Sequence, residues 1–109
     1  MRLFYQAEKF LAARSCLMLP HHSGETKSIA DAFMECDLGL HNLDRNSLDD
    51  AARSLIRKLE SLMCPTGLSD PSDRGLWTVK AETLTVDDRT DLSRIVNELA
   101  IYFSDKCRS

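Results

Sequence analysis

Apolar side chains recur at the spacing of an α-helix through most of this chain. In four segments, residues 2–19, 25–41, 48–63 and 86–104, they return every three or four positions and so gather on one side of a helix. The clearest stripe lies in the third segment and comprises Leu48, Ala51, Ala52, Leu55, Ile56, Leu59, Leu62 and Met63. Because each helix must bury its stripe against another element, the pattern predicts an all-α fold, a compact bundle of four main helices.

The segment 76–84 fits two descriptions. Trp77, Val79 and Ala81 alternate as they would in a strand, whereas Trp77 and Ala81 are also one helical turn apart. No second strand is evident as a partner, so we expect either a fifth short helix or an extended strap that carries Trp77 onto the bundle. Since 109 residues suffice for one hydrophobic core, we expect a single helical domain over residues 1–109.

The first predicted helix has a broad apolar face, formed by Leu3, Phe4, Ala7, Phe10, Leu11, Leu17 and Met18. Arg14 projects into the middle of this face, and Cys16 falls on the opposite, polar side. Pro20 is expected to end the helix, because proline cannot continue the hydrogen-bond ladder.

Two sequence pairs have the spacing of capping boxes. Ser47 with Asp50 predicts the start of the third helix, and Thr85 with Asp88 predicts the start of the fourth. At the other end of the fourth helix, the last few residues, including Cys107, are expected to fray.

Charge and length exclude several classes of protein. Fourteen basic residues stand against 17 acidic ones, giving a net charge of −3, which disfavours nucleic-acid binding. The chain is too short for a doubly wound nucleotide-binding enzyme or a barrel enzyme. Charged residues such as Glu8 and Lys9 interrupt every long apolar run, so we expect neither a membrane span nor a signal peptide, and a cytoplasmic protein. In the cytoplasm its four cysteines are expected to be separate reduced thiols, with disulfides as the alternative.

The second predicted helix is apolar on two sides. One stripe comprises Ile29, Ala32, Phe33, Cys36, Leu40 and Leu43. Ala30, Met34 and Leu38 form another stripe on nearly the opposite side, and such a stripe, if exposed, marks an interaction site. Trp77 is the other candidate anchor, because tryptophan is enriched at binding hot spots.

We therefore predict a non-enzymatic protein-binding or regulatory module with Ala30, Met34, Leu38 and Trp77 as its contact residues. Its partner would be a second copy, in a homodimer or larger homo-oligomer, or a small protein. The alternative is that the segment around Trp77 covers this stripe, which would make both part of one core.

Arg14 and His21 are separated by six residues. This spacing resembles the R-x4-6-H motif of HEPN domains, small helical ribonucleases in which the arginine and the histidine act on the RNA backbone. The resemblance covers these two residues and the fold class. It implies an alternative function as an RNA-cleaving or RNA-associated protein, with Arg14 and His21 as its catalytic residues.

Cys16, His21 and His22 are the candidate metal ligands, because a thiolate and two imidazoles suit zinc. A thiol near a histidine is also typical of a redox-sensitive site. We nevertheless expect a solvated loop with an ordinary thiol and no metal site, and the metal and redox roles are the alternatives. The chain has no glycine-rich phosphate loop, nucleophile elbow or HExxH motif, so we expect no cofactor and no small-molecule substrate.

Overall fold

The computed structural model describes residues 3–18, 24–41, 43–65, 67–68 and 75–108, which form five α-helices and no strand. The helices are α1 (Phe4–Met18), α2 (Glu25–Leu40), α3 (Asp50–Met63), α4 (Leu76–Thr83) and α5 (Val86–Arg108), with a 3-10 turn at Arg45–Ser47. The predicted all-α fold is confirmed. The segment around Trp77 is a short helix, α4, rather than an extended strap.

The core lies where α1, α2 and α5 meet. α1 packs on both α2 and α5, while α4 packs on α2 and α3 packs on α5. The Phe10 ring of α1 stacks on the Phe103 ring of α5, with centroids 5.3 Å apart and planes 15° from parallel. The largest fully buried side chains are Phe10, Phe33, Phe103, Ile56, Leu59, Leu92, Ile95, Leu99, Val96 and Cys36.

α1 and α2 run antiparallel and approach closely at Gly39. The Ser28 hydroxyl in the first turn of α2 donates to the Cys16 carbonyl near the end of α1. At the other end of the pair, a Cβ atom built on Gly39 would lie 3.0 Å from a ring carbon of Phe10 and 3.1 Å from the Lys9 Cβ. Glycine therefore suits this position because it lets the two backbones come together without a clash.

The starts of the helices follow local hydrogen bonding. The capping box that begins α5 is confirmed, because the Thr85 amide donates to Asp88 Oδ2 and the Asp88 amide donates to Thr85 Oγ1, both at 3.0 Å. The prediction that Ser47 caps α3 is wrong. Ser47 belongs to the 3-10 turn, and the Asp49 side chain caps α3 by accepting a hydrogen bond of 2.8 Å from the Ala52 amide.

The exposed surface of α1 differs from the prediction. Phe4, Leu11 and Met18 were expected on the apolar face that packs into the core, yet 65%, 42% and 66% of their surfaces are exposed. α1 directs Phe10 and Ala13 to the core, and the other three residues lie about 130° around the helix from that line. The broad apolar face therefore splits into a buried part and an exposed stripe.

The C-terminal helix continues further than its apolar stripe. α5 was predicted to end at Ser104, but it extends to Arg108 and includes Cys107, whose side chain is exposed. Within the ranges that the structure describes, no helix combines the length and apolarity needed to cross a bilayer.

Candidate protein-binding surface

The outer side of α2 carries two exposed apolar side chains. Met34 is 53% exposed and Leu38 is 43% exposed, one helical turn apart on the side opposite the stripe that enters the core. Ala30, the third predicted contact residue on this helix, is buried. It lies nearer the side of α2 that bears Phe33, against which α4 packs, so the part of the stripe that a partner can reach consists of Met34 and Leu38.

Trp77 attaches α4 to α2. Its ring lies 5.9 Å from the Phe33 ring, centroid to centroid, at an interplanar angle of 54°. The side chain is half-buried and therefore belongs partly to the core. Because Trp77 packs on Phe33, in the first stripe, Met34 and Leu38 stay exposed beside it rather than covered by α4.

A groove of about 400 Å3 opens where the end of α2 meets the end of α3. The residues that line it include Trp77, His41, Arg45, Glu60 and Cys64. The groove could not be predicted from the sequence, because its residues come from four separate parts of the chain and no spacing rule relates them.

Arg45 and Glu60 form a two-pronged ion pair in this groove. Arg45 Nη1 donates to Glu60 Oε1 at 2.8 Å, and Arg45 Nη2 donates to Glu60 Oε2 at 2.6 Å. The pair joins the 3-10 turn to α3. Arg53 of α3 adds a hydrogen bond of 3.3 Å to the Arg45 carbonyl. The two charges thus already pair with each other. Their presence in the groove is explained by this link between the 3-10 turn and α3 and does not indicate a bound ligand.

Replacing Glu60 by Gln is expected to lower stability in a pH-dependent way. The hydrogen bond from Arg45 lowers the pKa of the Glu60 carboxyl below its ordinary value of 4.5, against the opposing effect of burial. A lowered folded-state pKa contributes stability above pH 4.5, and this contribution disappears as the pH falls through the folded value. Both side chains are about 40% exposed, so we expect a loss below about 1 kcal/mol near neutrality.

The measurement for Glu60→Gln is urea unfolding of both proteins over a pH series that ends well below pH 4.5. The matched control is Glu98→Gln, whose partner Arg94 lies one turn away on the same helix at 3.0 Å. A difference between wild type and Glu60→Gln that persists unchanged at the acid end would contradict the assignment.

Arg14 lies at the edge of the exposed stripe of α1. Its Nε donates to the Met18 sulfur at 3.3 Å, and no ion pair joins it to a carboxylate among the described residues. His21, the other half of the R-x6-H pair, lies outside the described residues. The pairing of Arg14 with His21 therefore stays a prediction.

Cys16, which the sequence places on the polar side of α1, is partly buried against α2. Burial raises the pKa of its thiol, and the negative charges of Asp31 and Glu35 raise it further. A redox-sensitive thiol requires the opposite environment, one that favours the thiolate. His21 and His22 lie outside the described residues, so their part in a metal site stays a prediction; the described residues contain no group of three or more potential ligands.

Comparisons with known proteins found no match to this chain among protein-family models, curated proteins or solved structures.

Proposed function

We propose that the protein is a small, non-enzymatic, protein-binding helical module whose contact surface is the outer side of α2. The observation that carries the proposal is the exposure of Met34 and Leu38, two large apolar side chains one turn apart on a helix whose other side enters the core. Adjacent apolar side chains with this exposure are typical of interaction sites. Methionine suits such a surface, because its flexible thioether adapts to differently shaped partners.

The charges around this surface favour a partner of a particular kind. Asp37 is exposed on α2 between Met34 and Leu38 in sequence, and the chain as a whole carries a net charge of −3. A partner with an apolar contact and a basic rim would complement both features. Trp77 contributes indirectly, because its ring packs on the Phe33 ring and so holds α4 beside α2.

The test is affinity purification from the native host's lysate with three baits. These are the wild-type protein, the double variant Met34→Glu/Leu38→Glu, and the control Val86→Glu, which also introduces a carboxylate at an exposed apolar position. We expect wild type and Val86→Glu to retain one protein in stoichiometric amount, and the double variant to retain at least about tenfold less. Circular dichroism should give the same helical content for all three. Equal retention by the double variant would exclude this surface.

The same purification tests the alternative function, that of an RNA-cleaving protein. For this purpose half of the lysate is treated with nuclease. A partner that survives nuclease treatment supports the protein-binding proposal. Enriched RNA, with accompanying proteins lost on treatment, would instead favour the function implied by Arg14 and His21. Metal-independent cleavage of that RNA, abolished by His21→Ala, would then establish it.

A further inference from the structure

Two helix C-termini border the groove between α2 and α3. His41, which caps α2, and Cys64, which caps α3, both line it. A helix carries about half a negative charge at its C-terminus, where the last carbonyl groups have no partner within the helix. Neither α2 nor α3 has a basic side chain in its last turn to offset this charge. The groove therefore lies beside two negative helix ends.

Two carboxylates in the groove add to this negative charge. Asp37 lies in the last turn of α2 and Glu60 in the last turn of α3, and both line the groove. The helix dipole disfavours a carboxylate at a C-terminus, so helix stability does not explain either residue. Glu60 is neutralised by its ion pair with Arg45. Asp37, however, is exposed and forms no ion pair with the other described residues.

An indole ring and several apolar side chains complete the lining. Trp77 lines the groove, and its contact with Phe33, at 5.9 Å between ring centroids, holds the indole in place. The face of an indole attracts ammonium and guanidinium groups. Leu40, Met63 and Pro65 offer apolar contacts of the kind that the methylene stem of a lysine or arginine makes. The groove therefore combines the features that bind a long basic side chain.

The groove continues the exposed stripe on the outer side of α2. His41 follows Met34 by seven residues and Leu38 by three, so these side chains lie on one side of the helix. The rise from Leu38 to His41 is about 4.5 Å, which is less than the length of an extended lysine or arginine side chain. A partner that contacts Met34 and Leu38 can therefore reach the groove with one basic side chain.

We propose that the groove receives a lysine or arginine side chain of the partner protein whose apolar residues contact Met34 and Leu38. The ammonium or guanidinium group binds the Asp37 carboxylate and lies against the Trp77 ring, beside the C-terminal ends of α2 and α3. The volume of the groove, about 400 Å3, admits such a side chain. The inference rests on the proposed function for the place where the partner binds, and it adds the chemical group that the partner supplies.

Small cationic probes test the groove without the partner. N-acetyl-arginine amide and N-acetyl-lysine amide are titrated into the full chain, and NMR follows the Trp77 indole N–H and the backbone amides of Asp37 and His41. We expect saturable shifts of these signals with at least one of the two probes. N-acetyl-citrulline amide has nearly the shape of the arginine probe but no charge, so it should cause none. Equal binding of the citrulline and arginine probes would overturn the proposal, as would the absence of saturable shifts with both cations.

A variant that removes one carboxylate tests the role of Asp37. Asp37→Asn should weaken probe binding about three- to fivefold, the effect of one exposed ion pair. Because the helix dipole disfavours the carboxylate at this position, the variant should keep its fold, and circular dichroism checks this. The matched control Asp87→Asn removes an exposed carboxylate from the first turn of α5 and should leave the dissociation constant unchanged. An Asp37→Asn variant that binds the probe as tightly as wild type would overturn the proposal.

Partner capture separates a failure of this inference from a failure of the proposed function. Asp37→Lys places a like charge in the groove and should lower retention of the partner about tenfold, while Asp87→Lys should retain it fully. A partner that is lost with Met34→Glu/Leu38→Glu but fully retained by Asp37→Lys would overturn the inference and leave the proposed function standing. A partner lost with Asp37→Lys but retained by Met34→Glu/Leu38→Glu would support the groove as its contact and exclude the apolar surface.

Discussion

Replacing Phe33 by Ala is expected to lower the free energy of unfolding by about 3–5 kcal/mol. Phe33 is fully buried on the side of α2 that faces α4, and its ring contacts the ring of Trp77. Truncation removes the apolar surface that the ring buries and leaves a cavity between the two helices, which adds to the cost. α4 is only eight residues long, so its position depends on this contact more than on its own helical stability.

The chain contains a single tryptophan, so tryptophan fluorescence reports on the surroundings of Trp77. Phe33→Ala should shift the emission of Trp77 to longer wavelength in the folded protein, because the loosened indole meets more water. The matched control is Met34→Ala, the neighbouring position on the same helix, where the side chain is exposed. We expect this control to change stability by no more than about 0.5 kcal/mol and to leave the emission unchanged.

Urea unfolding followed by both fluorescence and circular dichroism measures these effects. Equal costs for Phe33→Ala and Met34→Ala would show that α4 does not pack on α2 through Phe33. A large loss of stability without a shift in Trp77 emission would lead to the same conclusion.

Periodicity predicted which side of α2 is buried, because that helix lies between two others. Its first stripe includes Phe33 and Cys36, and both are fully buried. Periodicity was less informative for α1, where Phe4 and Phe10 were placed on one apolar face. Only Phe10 is buried, because the position of α5 selects one part of a face wider than α1 can bury. The periodicity of α1 alone does not show where α5 packs against it.

Contacts between distant parts of the chain could not be predicted. The Arg45–Glu60 ion pair joins residues 15 positions apart in different elements, and its geometry depends on how the 3-10 turn folds back onto α3. Similarly, Ser47 fits a capping box by sequence, but Asp44 draws the chain into the 3-10 turn by accepting a hydrogen bond from the Asn46 amide. The 3-10 turn and the capping box both depend on residues only two or three positions apart, so the spacing of residues in the sequence does not decide which of them forms.

The sequence pattern agrees with the exposure of two of the three predicted contact residues on α2. The sequence distinguishes two stripes on α2, and Met34 and Leu38 are exposed as a contact surface requires. Ala30 is buried, since a small side chain next to a packed neighbouring helix is easily covered. Hydrophobicity alone does not separate a second buried stripe from an exposed one, because both read as apolar residues at helical spacing.

In the native protein, Cys36 is expected to resist thiol reagents while Cys107 reacts. Cys36 is fully buried between α1 and α2, and burial raises the pKa of its thiol well above the ordinary value. Reaction at Cys36 therefore needs an opening of the core that exposes the thiol. For a domain of typical stability, about 5 kcal/mol or more, this opening slows modification at least about 5000-fold relative to an exposed thiol. Cys16, partly buried and with a raised pKa, should react at an intermediate rate.

Time-resolved modification with an uncharged maleimide, located by peptide mass analysis, measures the rate at each cysteine. The decisive comparison is Phe33→Ala, which destabilises the core that covers Cys36 without touching the exposed Cys107. If modification of Cys36 follows global opening, a loss of 3–5 kcal/mol should accelerate it by about 100- to 5000-fold. Met34→Ala should leave the rate unchanged. A Cys36 that reacts as fast as Cys107 in the wild-type protein would mean that α1 and α2 do not enclose it.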